Sequence, residues 1–248
     1  MKFTLKDYQR AAVDEVLNRL DHAKTIFRRD GQVSSFSLTA TTGAGKTVMA
    51  AAAIEALFFG NDDLNFDVDP GAVVIWFSDD PNLNDQTRSR LMEASEKLVS
   101  SDLVTIAPPF SKERLEPGKV YFLNTGKLTK SSLLTRGHDP EPGVETLPGL
   151  DAATQPDMQG WTIWETIANT IDADDLTVYL VLDEAHRGFG SRSSNDKPTI
   201  VRRLVNGHAG YPPMPVVWGI SATIERFQEV MKAADADQSR RALSAVQV

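Results

Sequence analysis

Phe36-Ser37-Leu38-Thr39-Ala40-Thr41-Thr42-Gly43-Ala44-Gly45-Lys46-Thr47 is the stretch that decides the fold. Its first four residues read as a short strand and its glycines as a tight turn. A helix over about 45–57 follows, with Gly60 placed to end it. Strand, Gly-rich turn and helix in direct succession aim several backbone N–H groups into one concavity and add the positive end of the helix dipole. A Lys in such a turn reaches the β- and γ-phosphates of a nucleotide, and a hydroxyl after it ligates Mg²⁺. Lys46 and Thr47 stand at those positions, and Thr42, Gly43, Ala44 and Gly45 supply the cradle. Ala40 stands where the strict pattern has Gly. The competing reading is a strand–helix turn that merely needs glycines.

Working outward, Thr4-Leu5-Lys6-Asp7 has the form of a capping box with Asp in place of Glu. Leu5, Tyr8, Ala12, Val16 and Leu20 then recur at helical spacing and predict an amphipathic helix to about residue 20. Continuous apolar runs over 72–77, 120–123, 178–182 and 216–220 predict strands buried on both faces. Pro81 interrupts the pattern after the first run, and helices are expected over about 84–99 and 161–171. Buried strands alternating with helices predict a parallel sheet with crossovers. Residues 130–160 carry four prolines and several glycines and read as a long loop or insertion. All 248 residues are expected in one α/β domain, long enough to bury a core without staples.

Composition narrows the chemistry. There is no cysteine, which excludes disulfides, thiolate metal sites and cysteine nucleophiles. The four histidines, His22, His138, His186 and His208, show no metal-ligand spacing. The N-terminus has no secretory signal and no run is long enough to span a bilayer, so a cytoplasmic protein is expected. Net charge is −8, and Asp62, Asp63, Asp67, Asp69, Asp79, Asp80 and Asp85 crowd one stretch with no Lys or Arg between them. That balance does not favour a phosphate-backbone binder. Any nucleic-acid contact must come from a local track or from another part of the protein.

Leu180-Val181-Leu182-Asp183-Glu184-Ala185-His186 ends an apolar strand in two acids. In open α/β folds that position is the carboxyl edge of the sheet, where ligands bind. Asp183 would hold Mg²⁺ and Glu184 would orient or deprotonate the attacking water. The alternative is a helix N-terminus whose dipole the acids complement. Together with the loop at 40–47, the two motifs form the halves of one nucleotide–Mg²⁺ site, implying ATP and Mg²⁺.

Asp183-Glu184-Ala185-His186 is also the DEAH box of superfamily 2 helicases and translocases, and the chain resembles that family throughout 5–227 with its motifs in order. Gly219-Ile220-Ser221-Ala222-Thr223 resembles its Ser-Ala-Thr motif; Leu5-Lys6-Asp7-Tyr8-Gln9 looks like its adenine-reading element. Residues 76–86 resemble motif Ia, and 122–128 a later strand-contacting motif. The closest resemblance is to the restriction (Res) subunit of type III restriction enzymes, to which Trp161-Thr162-Ile163-Trp164-Glu165 adds. Ile224 departs from relatives that have Pro after Ser-Ala-Thr.

The resemblance implies a P-loop NTPase: a RecA-like, mostly parallel sheet with helices on both faces. It implies that Gln9 hydrogen-bonds the base and that His186 links nucleotide state to Ser221 and Thr223. Ser78, Asn124 and Thr125 become possible nucleic-acid contacts, although Asp79 and Asp80 nearby would repel a backbone. Arg88, Arg90, Arg202 and Arg203 read as solvated helix faces, and Trp76, Trp161, Trp164 and Trp218 as core. The whole is expected to be the first lobe of a motor that moves on DNA, in a restriction or phage-defence subunit. Its partners would be a second RecA-like lobe in cis or trans, and a modification or nuclease subunit. A helicase acting on RNA, or a nucleotide-gated protein-binding switch, are the rivals. After Thr223 the sequence runs only to Val248, too short for a second lobe. A missing arginine finger would cost about 10³–10⁵ in turnover, so slow hydrolysis by these residues alone is expected.

Overall fold

A computed structural model describes residues 1–135, 160–183, 196–208, 210–236 and 240–248. Its strands are β1 (Ser34–Thr39), β2 (Ala72–Ser78), β3 (Leu103–Thr105), β4 (Lys119–Asn124), β5 (Thr177–Asp183), β6 (Val216–Ser221), β7 (Arg241–Ala242) and β8 (Val246–Gln247). They form one sheet in the order β3-β4-β2-β5-β6-β1-β7, with β8 also on β1. Every pairing between these strands is parallel. The parallel α/β sheet expected from the strand pattern, and the RecA-like class that the resemblance implied, are the fold found.

Alternation along the strands sorts the core into two layers. Val74, Trp76, Tyr179, Val181, Trp218 and Ile220 face one side, packing on α1 (Asp7–Asp30), α2 (Lys46–Phe59) and α3 (Pro81–Ala94). Val73, Ile75, Phe77, Leu180, Leu182 and Val217 face the other, against α4 (Ile163–Ile171), α5 (Asp196–Asn206) and α6 (Ile224–Ala233). Buried on both faces, such strands have no polar alternation, which is why they read as unbroken apolar runs. Helix α2 is buried from Met49 to Phe58, and its four consecutive alanines let neighbouring helices approach. Gly219 permits another close approach: a Cβ there would stand 2.0 Å from the Phe227 ring of α6.

Several boundaries differ from the sequence expectations. Helix α1 runs ten residues past Leu20, because Ala23 and Ile26 continue the buried stripe and Gly31 (φ +67°) ends it. Its N-cap is Lys6, not Thr4, and Lys6 N donates to the Gln9 side chain at 3.0 Å. Pro81 follows the end of β2 and is itself the first residue of α3, three residues before the expected start, since a first-turn residue needs no N–H partner. Asp80 caps that helix, accepting from Asn82 N at 2.8 Å, and α3 stops at Ala94. Most of the loop expected over 130–160 lies outside the described residues. Trp76 and Trp218 are core and Trp164 is buried, but Trp161 is exposed. Among the described residues no helix is long and apolar enough to cross a membrane.

Candidate functional site

Because the sheet is parallel, the ends of β1, β5 and β6 reach one edge together. Register pairs Thr39 with Ser221, and Asp183 with Ile220. The loop from Ala40 to Gly45 leaves that edge and feeds α2, with Gly43 at φ +87° and Gly45 at φ +86°. Both lie in the left-handed region that side chains disfavour. Gly45 is constrained twice over, since a Cβ on it would sit 2.5 Å from Gln9 Nε2.

Thr42, Gly43, Gly45, Lys46, Thr47 and Asp183 line one cavity of about 410 Å³. Arg90 of α3, which had read as solvated, lines it too, with Gln86 and Thr87. Their spacing, three and four residues apart, is one helical stripe, the signal that could have grouped them. Lys46 Nζ donates to Ala40 O at 2.8 Å and Thr41 O at 3.3 Å, so the ammonium rests on the loop's own carbonyls. Gln9 is buried, its Oε1 accepting from Lys6 N and its Nε2 donating to Ala44 O at 3.0 Å. Tyr8 OH also donates to Ala44 O, at 3.3 Å. Gln9, expected to read the base, thus also braces α1 against the loop.

The Ser-Ala-Thr segment joins β6 to α6. Ser221 ends the strand and its hydroxyl donates to Thr223 O, while Thr223 is the α6 N-cap and accepts from Arg226 N at 3.5 Å. Ile224 is the first helical residue, where relatives with Pro would fit equally. Glu184 and His186 lie outside the described residues.

Ser78, Asn124 and Thr125 gather at the ends of β2 and β4, where Ser78 pairs with Asn124 in register. Ser78 is fully buried, donating to Asn84 Oδ1 at 2.7 Å, and Asn84 donates to Leu123 O at 2.9 Å. Asn124, also buried, accepts from Lys127 N at 3.3 Å, and Thr125 Oγ1 donates to Asp79 at 2.9 Å. The Asn124 side chain thus holds the turn at 125–128, that of Ser78 holds the start of α3, and the half-buried Thr125 is the more accessible of the three. The acids nearby also have structural tasks: Asp80 caps α3, Asp79 takes Thr125, and buried Asp69 accepts from Tyr179 OH at 2.7 Å. Lys24 pairs with Asp69 at 3.2 Å.

The family model for the type III restriction enzyme Res subunit matches residues 2–226. The chain belongs to that family. No curated protein matches this Res-family chain. Similar solved structures include the Pyrococcus furiosus Hef helicase domain (16% identity, TM-score 0.39, 90% of this chain and 37% of that one). Another is S. cerevisiae Dbp5 bound to RNA and ADP BeF3 (16%, 0.41, 91% and 44%). A third is the helicase MrfA bound to DNA (17%, 0.47, 98% and 30%). The Res-family chain spans less than half the length of each.

Proposed function

We propose that this chain is the ATP-binding motor lobe of a DNA helicase or translocase, hydrolysing ATP to ADP and phosphate in a restriction or phage-defence system. One observation carries the reading: Lys46 and Thr47 line the same cavity as Asp183, which arrives from a strand far along the chain. Family membership favours DNA over RNA as the polymer.

In this mechanism the N–H groups of 43–47 and the α2 dipole cradle the phosphates. Lys46 leaves the Ala40 and Thr41 carbonyls for the β- and γ-phosphate oxygens, a better partner for an ammonium than neutral carbonyls. Thr47 and Asp183 offer hard oxygen donors of the kind Mg²⁺ takes. Among the described residues no three His, Cys, Asp or Glu form a metal cage. Such a donor set suits Mg²⁺ carried in by a nucleotide, which is held by one or two protein oxygens plus phosphates. When bound, the ion neutralises charge on the phosphates. Gln9, braced on Ala44, presents its remaining hydrogen-bonding capacity to the base. Glu184, next to Asp183, orients the attacking water, and His186 with Ser221 and Thr223 relays nucleotide state. Thr125 and the turn it opens contact the nucleic-acid backbone. A second lobe in cis or trans, and a modification or nuclease subunit, complete the machine.

The test is calorimetric titration with ATP–Mg²⁺. Lys46→Ala should lose measurable binding with its fold intact, and binding as tight as wild type overturns the assignment. Glu184→Gln in the full-length protein should bind ATP yet stop hydrolysing it, whereas Asp183→Asn should change the Mg²⁺ dependence. Turnover stimulated by duplex DNA and not by RNA supports the choice of polymer; the reverse refutes it.

A further inference from the structure

A second cavity, of about 790 Å³, lies on the other flank of the phosphate loop. Its size is within the roughly 300–1,000 Å³ range of small-molecule sites. Thr42 and Gly43 line both cavities, so the loop is a partition with Lys46, Thr47 and Asp183 on one side. On the far side one wall is α1, through Tyr8, Ala12 and Glu15, and the other is residues 245–248.

That C-terminal segment is held to the sheet at successive points. Leu243 N donates to Ser35 O at 2.8 Å and Val248 N to Thr39 O at 2.9 Å. Thr39 Oγ1 donates to Val246 O at 3.3 Å, and Arg19 Nε to Ser244 O at 3.3 Å. Arg240, buried, donates to the carbonyls of Ser34 and Val205 at 3.0 Å, Pro215 at 3.2 Å, and Met214. Burial pulls its guanidinium down to about 9, leaving it charged at neutral pH. Thr39 connects this segment to the loop: its carbonyl takes Val248 N, and the next carbonyl, of Ala40, holds Lys46 Nζ.

We propose that residues 245–248 form the second wall of the pocket for the nucleotide's base and ribose, so that nucleotide binding and docking of β8 strengthen each other. The inference rests on the nucleotide reading of the loop. The lining suits such a ligand. The half-open Tyr8 ring, the Ala11 and Ala12 methyls and Val246 offer apolar faces to a flat base, while Glu15 offers an acceptor to amine or hydroxyl donors. A two-residue strand on a sheet edge has little stability of its own, so ligand burial against it shifts its docking measurably. The coupling is necessarily reciprocal.

The experiment titrates the 248-residue chain with ADP and, separately, inorganic tripolyphosphate, each with Mg²⁺. Val248→Pro removes the N–H that the Thr39 carbonyl accepts and stiffens the end of the segment, and Arg19→Ala releases Ser244 together with Glu15, its ion-pair partner on the opposite wall. Both should weaken ADP about five-fold or more, the lower end of ordinary site-to-site coupling, and leave tripolyphosphate unchanged. Unchanged ADP affinity in both variants overturns the proposal, as does equal weakening of the two ligands, which would mean the segment acts on the loop alone. Lys46→Ala is the separate control: it should weaken both ligands, and if it weakens neither, the nucleotide reading itself fails. ADP should also slow hydrogen exchange at the Leu243 and Val248 amides, and exchange that ignores ADP refutes the coupling.

Discussion

Two parts of one sheet edge use polar residues in opposite ways. Where β1, β5 and β6 end, Lys46, Thr47 and Asp183 border a cavity, and the Lys46 ammonium rests on nearby backbone carbonyls. Where β2 and β4 end, Ser78, Asn84 and Asn124 are buried and bonded to one another or to backbone, and none borders that cavity. Both parts carry the residue types that mark ligand sites in open α/β folds. What separates them is where their hydrogen bonds go. A buried polar group must be satisfied, and one satisfied inside the protein acts on a ligand only by holding other groups in place.

Substitutions can break that contrast. The largest effect is expected at Gly45. Gly45→Ala forces a side chain into a left-handed backbone and against Gln9, so ATP affinity should fall about ten-fold or more. Calorimetry with a thermal melt checks it, and affinity unchanged would mean the loop is not the site. Asn84→Ala should do the converse. It removes two buried hydrogen bonds, the one from Ser78, whose hydroxyl keeps the Asp80 carbonyl at 3.0 Å, and the one to the Leu123 carbonyl, costing about 1–3 kcal/mol of stability by denaturant melt while nucleotide affinity stays as in wild type. A parallel loss of affinity would show that the two parts are one coupled unit.

Smaller effects sharpen the picture. Asp80→Ala removes the α3 N-cap and should cost about 1 kcal/mol in the same melt, with no change in nucleotide binding. If stability is unaltered, Asp80 has no capping role and is a free acid beside the turn at 125–128. The smallest effect concerns pH. His208 stacks edge-on against Trp164 (centroids 4.8 Å apart), and burial, helped by Arg203, lowers its pKa below the ordinary histidine value. The unfolded chain therefore takes up the proton first as pH falls, so stability is lost on acidification through that ordinary value and regained above it. The fall in melting temperature between pH 7.5 and 5.5 should be shallower in His208→Gln; parallel curves would remove His208 from the account.

Much of this was legible in order of sequence. The turn at 40–47 announced itself because glycines, Lys and Thr serve local geometry, and Gly43 and Gly45 do have positive φ. The apolar runs announced β2, β4, β5 and β6 because burial on both faces leaves no polar position. Pro81 did mark the end of the apolar run, but the helix start was read three residues late, since a proline that ends a strand and one that opens a helix look alike until the cap is seen. Strands β3, β7 and β8 gave no signal, being two or three residues long. Arg90 looked solvated because a polar stripe facing a cavity has the same spacing as one facing water.

The amino-acid sequence alone determined the strand–loop–helix, the acid at the end of β5 and the family, because these depend on neighbours a few residues apart. Only the tertiary structure decided that Ser78 and Asn124 are sealed, that Gln9 braces the loop and that residues 245–248 wall a pocket beside it. Those outcomes depend on register between strands distant in sequence. Pairing Thr39 with Ser221, and Leu38 with Val246, is what brings the separate chain ends to one edge.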